Sequence, residues 1–279
     1  MQGQVEFELG SLGLAQHRVT EGVESPFVYH TYGTGSTPCL CLPEVGLSAA
    51  TCFHALIVSL PPTHLLKLSY YLILVDDPDE EKLAAIVRHR NLKEIVGLGV
   101  GNGGYLLAQT TGLPLVGLVL ISPSSRRASW MEFLRGKLAL LQLQRSGWTK
   151  STKDHFSSRL FSPATLQRFG NSSALVRSLH HDLEKTNPSI VFRAYKNVLS
   201  RGALEGVRER VSCRVLLIVG AQSIYYGEAM ELAQRLDKSR LSVFEVDRAG
   251  TWVNQESIGN ILGVIDTFLI GLRQEGYGM

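Results

Sequence analysis

The sequence predicts a doubly wound, mostly parallel α/β sheet with an inserted helical lid. Three observations lead there. Continuous Val/Ile/Leu runs such as YYLILV, EIVGLGV, LVGLVLI and RVLLIVG mark parallel strands buried on both faces. Helical patterns stand between these runs, as a βαβ succession requires. From residue 126 to about 206 that alternation stops and helical patterns alone remain.

In chain order, residues 5–9, 16–20 and 27–32 read as edge strands with some polar alternation. PCLCLP (38–43) is an apolar strand closed by a proline. Residues 49–59 form a helix. YYLILVDD (70–77) is a strand ending on Asp76 and Asp77. PDEEKLAAIVRHRN is a helix, with proline early and acids in its first turn. EIVGLGV is a strand, NGGYLLAQTT a helix and 115–122 a strand. After the helical stretch, 214–220 and 241–246 are strands, and 228–236 and 257–272 are helices. The division is one composite domain: core 1–125, lid 126–206, core 207–279.

Composition narrows the function classes. The 279 residues are 44% hydrophobic and 19% charged, ordinary for a globular chain with a sizeable core. A net charge of +3 gives no argument for nucleic acid. The cysteines are Cys39, Cys41, Cys52 and Cys213, with no C-x-x-C pair, so neither a zinc site nor a disulfide framework is expected. MQGQVEFELG lacks a basic start and an apolar core, and no apolar run is long enough to span a bilayer. A soluble cytoplasmic protein in a reducing compartment is the expectation, with peripheral membrane association as a variant.

The glycine-rich corner GLGVGNGG admits three readings. Gly99, Gly101 and Gly104 satisfy G-x-G-x-x-G, a dinucleotide signature, with Arg126 and Arg127 available for a 2′-phosphate. The motif belongs in a first βαβ unit, however, and Ser122 stands where the ribose-binding acid is expected. The second reading is a hydrolase elbow, G-x-S-x-G, in which Gly101 replaces the nucleophile. Ser223 then replaces the acid and Thr251 the histidine, and no histidine follows His181. His180 and His181 fall in the lid, where surface or packing roles are expected. The third reading keeps the corner as scaffold, its glycines serving the tight turn and the close approach of helix to sheet. It explains all three missing groups together, so no catalytic residue, metal or cofactor is expected.

The residues that carry this reading resemble a family. CLPEVGLSAATCFHAL, VDDPDEEK, IVGLGVGNGGYLLAQ, GLVLISPSSRRASWMEFLRGKL, CRVLLIVGAQS and FLIGLRQEGYG are similar, in order, to segments of the N-myc downstream-regulated (NDRG) family. That resemblance implies an α/β-hydrolase fold without a catalytic triad. It implies an adaptor or signalling role in stress response, differentiation or vesicle traffic, with no obligatory cofactor. The chain departs from the family at Asp79, which replaces a glycine, in the shortened loop after Pro78, and at Ala221, where an aspartate is common. The long polar tail of some members is absent, so regulation through it is not carried over.

The lid entry is basic. Arg126, Arg127, Arg135, Lys137, Arg145, Lys150, Lys153, Arg159 and Arg168 face only Glu132 and Asp154. Such a run is expected to be a solvated helical face, or else a docking surface for an acidic protein or anionic lipid. Arg126, Arg127, Arg135 and Lys137 are the candidate partner-binding residues, and Trp130, Phe133 and Trp148 are expected in the lid core. Glu44 and Asp76 could meet at the sheet's C-terminal edge, solvated or paired with arginine. The remaining alternatives are an accessory subunit of a larger assembly, or an NAD(P)-binding or residual hydrolase-type enzyme using the corner.

Overall fold

The computed structural model describes residues 12–169 and 174–277, with no side chains described for 167–169. The expected strand at 5–9 and the side chain of Arg168 therefore lie outside the described residues. The strands are β1 (Ala15–Val19), β2 (Phe27–Tyr32), β3 (Thr37–Leu42), β4 (Tyr70–Leu74), β5 (Ile95–Val100), β6 (Leu115–Ile121), β7 (Arg214–Gly220) and β8 (Leu241–Val246). They form one sheet in the order β1-β2-β4-β3-β5-β6-β7-β8. β1 and β2 run antiparallel at one edge, and every pairing from β4 to β8 is parallel.

The helices flank the sheet. In the first half of the chain they are α1 (Ala49–Ser59), α2 (Leu65–Leu68), α3 (Glu80–His89) and α4 (Asn102–Gln109). The second half ends with α11 (Tyr226–Arg235), α12 (Val253–Glu256) and α13 (Ile258–Gln274). Between β6 and β7 lie α5 (Trp130–Ser146), α6 (Lys150–Leu160), α7 (Pro163–Phe169), α8 (Ala174–Lys185), α9 (Pro188–Leu199) and α10 (Val207–Arg210). Two apolar cores form, one on each face of the sheet. Cys39, Cys41, Leu98 and Val100 point into one, while Leu40, Leu42, Leu118 and Leu120 point into the other. That alternation is the period of two along strands whose both faces are covered.

Local chemistry sets the boundaries. Ser48 caps α1, Asp79 caps α3 ahead of Glu80 and Glu81, and Ser129 caps α5. The strand expected over 70–77 stops at Leu74, and Asp77 adopts a positive φ of 47° at the turn into α3. The helix expected over 257–272 is preceded by a separate turn, α12, because Ser257 leaves the helical conformation at φ −145° and ψ 40°. The short α2 and α10 carry too few residues to show a helical period. Gly136 lets α5 approach α9, since a Cβ there would lie 2.6 Å from Leu199 Cδ2 and 3.1 Å from the Tyr195 hydroxyl.

Candidate functional site

The corner between β5 and α4 is built by close approach. A Cβ on Gly99 would lie 2.6 Å from Gly104 Cα, and one on Gly103 would lie 2.2 Å from the Leu42 carbonyl oxygen. These two glycines let α4 press against β5 and β3. Gly101 differs, because its φ of 55° and ψ of −113° belong to a region that strains any residue with a side chain. It retains the backbone of an elbow that would present a side chain above the sheet.

That volume is filled from elsewhere. A Cβ on Gly101 would stand 1.8 Å from Glu44 Oε2. Glu44 sits on the loop after β3 and is buried. Its Oε2 accepts the Asn102 backbone N–H at 2.6 Å, and its Oε1 accepts Asn102 Nδ2 at 2.7 Å. In a working elbow, the N–H of the residue after the nucleophile receives the oxyanion. Here that donor is held by an internal carboxylate. Burial pushes the Glu44 carboxyl above its usual range, against the opposing pull of Arg159 and the Asn102 donors.

The other two positions close around the same point. Ser223 and Thr251 hydroxyls lie 2.9 Å apart, and Thr251 Cγ2 would lie 3.4 Å from a Cβ on Gly101. The Tyr225 N–H donates to Ser223 Oγ at 3.1 Å, so this hydroxyl is engaged in a local turn. Gly101, Ser223 and Thr251 thus come together at the C-terminal edge of the sheet with no ionisable group among them.

The lid supplies the counter-charge. Arg159 of α6 lies 3.6 Å from Glu44 Oε1 and 3.2 Å from Glu132 Oε1 of α5. Its guanidinium donates to the Tyr195 hydroxyl at 3.2 Å and to the Tyr225 hydroxyl. The Tyr195 ring lies 4.9 Å and the Tyr225 ring 5.6 Å from its central carbon. Arg201 clamps Glu132 with both terminal nitrogens at 3.2 Å. These arginines together hold the Glu132 carboxyl below its usual value despite burial. Ser124 Oγ donates to Asn102 Oδ1 at 3.1 Å, completing the network.

Beside the network opens a cavity of ≈ 420 Å³, lined by Phe27, Val45, Tyr105, Ile190, Val191 and Val198, with Glu44, Asn102, Asp76 and Arg201 among its polar groups. Asp76 and Glu44 line it without a hydrogen bond between them among the described residues. Asp76 Oδ1 instead accepts the Ala49 N–H at 2.6 Å at the start of α1.

Several expectations are corrected here. The basic run is no single solvated face. Arg159 is only 5% exposed and serves the interior, because the apolar neighbours Phe156, Leu160 and Phe161 bury its side of α6. Arg126 is paired with Glu231, and Lys153 with Glu184. Trp130 is not lid core, being 74% exposed. Phe133 and Trp148 are half-buried, and Trp148 Nε1 donates to the Thr186 carbonyl at 2.8 Å. Of the two roles expected for Glu44, solvated or paired with arginine, the structure shows the second. His180 is held within the lid by Ser157 Oγ at 2.9 Å. The role of Arg159 was missed in the sequence, although HFSSRLF, with apolar side chains on both sides of the arginine, carries the signal. All four cysteines are free, and Cys39, Cys41 and Cys52 are buried.

Residues 75–276 match the model of the Ndr family. The chain belongs to the Ndr family. Among relatives, this Ndr-family chain is 26% identical to Protein NDL1 of Arabidopsis thaliana over 96% of its length and 85% of that protein's. It is 24% identical to Protein NDRG2 of Homo sapiens over 96% of its length and 78% of that protein's. Among solved structures, an esterase from Thermogutta terrifontis superposes with a TM-score of 0.77 at 16% identity, covering 92% of this chain and 99% of that one. A hydrolase from Pseudomonas aeruginosa PA01 gives 0.71 at 17% identity, covering 93% and 99%. The Ndr-family chain therefore has the α/β-hydrolase fold. Among the described residues, no helix is long and apolar enough to cross a membrane.

Proposed function

We propose that this Ndr-family protein is a non-catalytic scaffold that works by binding, as an adaptor in signalling or trafficking. One observation carries the reading. The Glu44 carboxylate occupies both the nucleophile's space at Gly101 and the oxyanion donor at Asn102. An acyl group would have to displace a buried, hydrogen-bonded and arginine-paired carboxylate to reach the elbow. It would then meet Gly101, Ser223 and Thr251, none of which can serve as an ionised nucleophile, base or acid near neutral pH. The same carboxylate argues against a dinucleotide, because a pyrophosphate at the start of α4 would compete with it for the same N–H and suffer its repulsion.

The adaptor role itself draws on family membership and on the resemblance of the motifs, and the outward face of the lid is the surface free to serve it. Four free cysteines support a reducing, cytoplasmic setting. Turnover of p-nitrophenyl acetate and butyrate by the purified chain tests the reading. The expected rate is the uncatalysed background. A rate above it that disappears in both Gly101→Val and Thr251→Ala would establish an enzyme at this corner.

A further inference from the structure

We propose that helix α5 seats its outer face on a membrane surface bearing anionic headgroups. This deepens the scaffold reading by naming what the lid meets, and rests on that reading only for its place in an adaptor's work.

The outer face of α5 is apolar where solvent should favour polar residues. Trp130 is 74% exposed, Met131 52%, Leu134 43%, Leu138 55% and Leu141 47%. Their spacing puts them on one stripe of a helix with 3.6 residues per turn. Single exposed leucines are unremarkable, but a continuous stripe marks a binding surface. The helix has already met its packing needs on the other side, where Gly136, Ala139, Leu140 and Leu143 are buried. The outer stripe is therefore a second apolar face, not the core face of a misplaced helix.

The charges around the stripe have one sign. Arg127, Arg135, Lys137 and Arg145 are exposed along and beside it. Lys137 lies over the Phe133 ring, 5.2 Å from its centroid. Glu132 is the only acid in α5, and it is turned inward to Arg159 and Arg201. An exposed Trp/Leu/Met stripe with a cationic border is the composition that lies in the plane of an interface, its apolar side chains among the acyl chains and its cations at the phosphates. With 17 residues and an inner face fixed to α9, α5 can lie on a bilayer but not cross it.

The same border disfavours two other occupants. A second copy docked by a two-fold axis would bring Arg135 and Lys137 toward their own counterparts, with no acid on the face to receive them. A shaped protein partner would be expected to meet a groove or a hydrogen-bonding pattern, whereas this face is a row of exposed apolar side chains along one helix.

Flotation of the full chain with vesicles tests the proposal, comparing phosphatidylcholine alone with phosphatidylcholine containing about one-third phosphatidylserine. The chain is expected to float with the anionic vesicles only, and less so as salt screens the charges. Emission from Trp130 should shift to the blue on binding, an effect absent in Trp130→Phe. Leu134→Glu with Leu138→Glu should abolish flotation. Arg135→Glu with Lys137→Glu should weaken it by about twentyfold or more, since each basic residue at such a surface is worth about fivefold. All four positions are exposed, and circular dichroism would check that the variants fold. Absence of flotation by the wild type overturns the proposal, as does flotation at the wild-type level in both double variants. It is also overturned if the wild type is a dimer that Leu138→Glu dissociates without any vesicle binding. None of these results depends on ester turnover, so this proposal and the scaffold reading can fail separately.

Discussion

At Gly101 the backbone holds φ 55° and ψ −113°, and the Glu44 carboxylate lies in the volume a side chain there would fill. The two residues are therefore coupled through space, which a double-mutant cycle can read. Gly101→Ala combines a strained φ with a clash and should destabilise by roughly 2–3 kcal/mol. Glu44→Ala strands part of the charge on Arg159 and should cost about 3–5 kcal/mol, the range for breaking a buried pair from one side. In the double variant the clash is gone, so the combined loss should fall short of the sum by at least about 1 kcal/mol. Urea unfolding of the four proteins gives the answer. Strict additivity would mean that the carboxylate does not occupy the nucleophile's place.

Among the elements, α6 carries a half-buried group whose state depends on pH. Burial lowers the pKa of His155 to about 4, with Arg159 and Arg135 pushing the same way. Its Nε2 lies 2.8 Å from the Tyr195 hydroxyl on α9. Since the folded value lies below the unfolded one of 6.5, the neutral ring stabilises the fold above pH 6.5. That contribution, on the order of 3 kcal/mol at most, is lost as pH falls from there toward 4. Wild type should lose more stability between pH 7 and 4.5 than His155→Gln does. Equal slopes in urea melts across that window would remove His155 from the account. The core elements were legible because continuous apolar runs such as RVLLIVG leave few ways to be buried. The corner was legible because Gly99, Gly103 and Gly104 mark close approach. What a period could not show was side choice within the lid. Arg159 and Trp130 both lie in polar-looking helices, yet one points to the interior and the other to solvent. That outcome depends on which helices pack together, and hence on contacts between distant segments such as Glu44 with Arg159.

Over the whole molecule, Arg159 joins the two parts of the chain. It reaches Glu44 on the core loop, Glu132 on α5, Tyr195 on α9 and Tyr225 ahead of α11. Arg159→Met keeps much of the side-chain volume and removes the charge. Hydrogen exchange should then quicken across α5, α6, α8 and α9 while the amides of β5, β6 and β7 stay protected, as when a sub-global unit opens. Uniform loss of protection would show that lid and sheet open as one unit. The Glu44–Gly101–Arg159 interlock also bears on the molecule's history. A serine introduced at the elbow meets the carboxylate. Removal of the carboxylate leaves a buried arginine short of its partner, and removal of the arginine unlatches the lid. Each single step spends a sizeable part of the roughly 5–15 kcal/mol that keeps a domain folded. On the proposed non-catalytic reading, the interlock is a ratchet: any one substitution toward the elbow's chemistry costs stability before it can be rewarded.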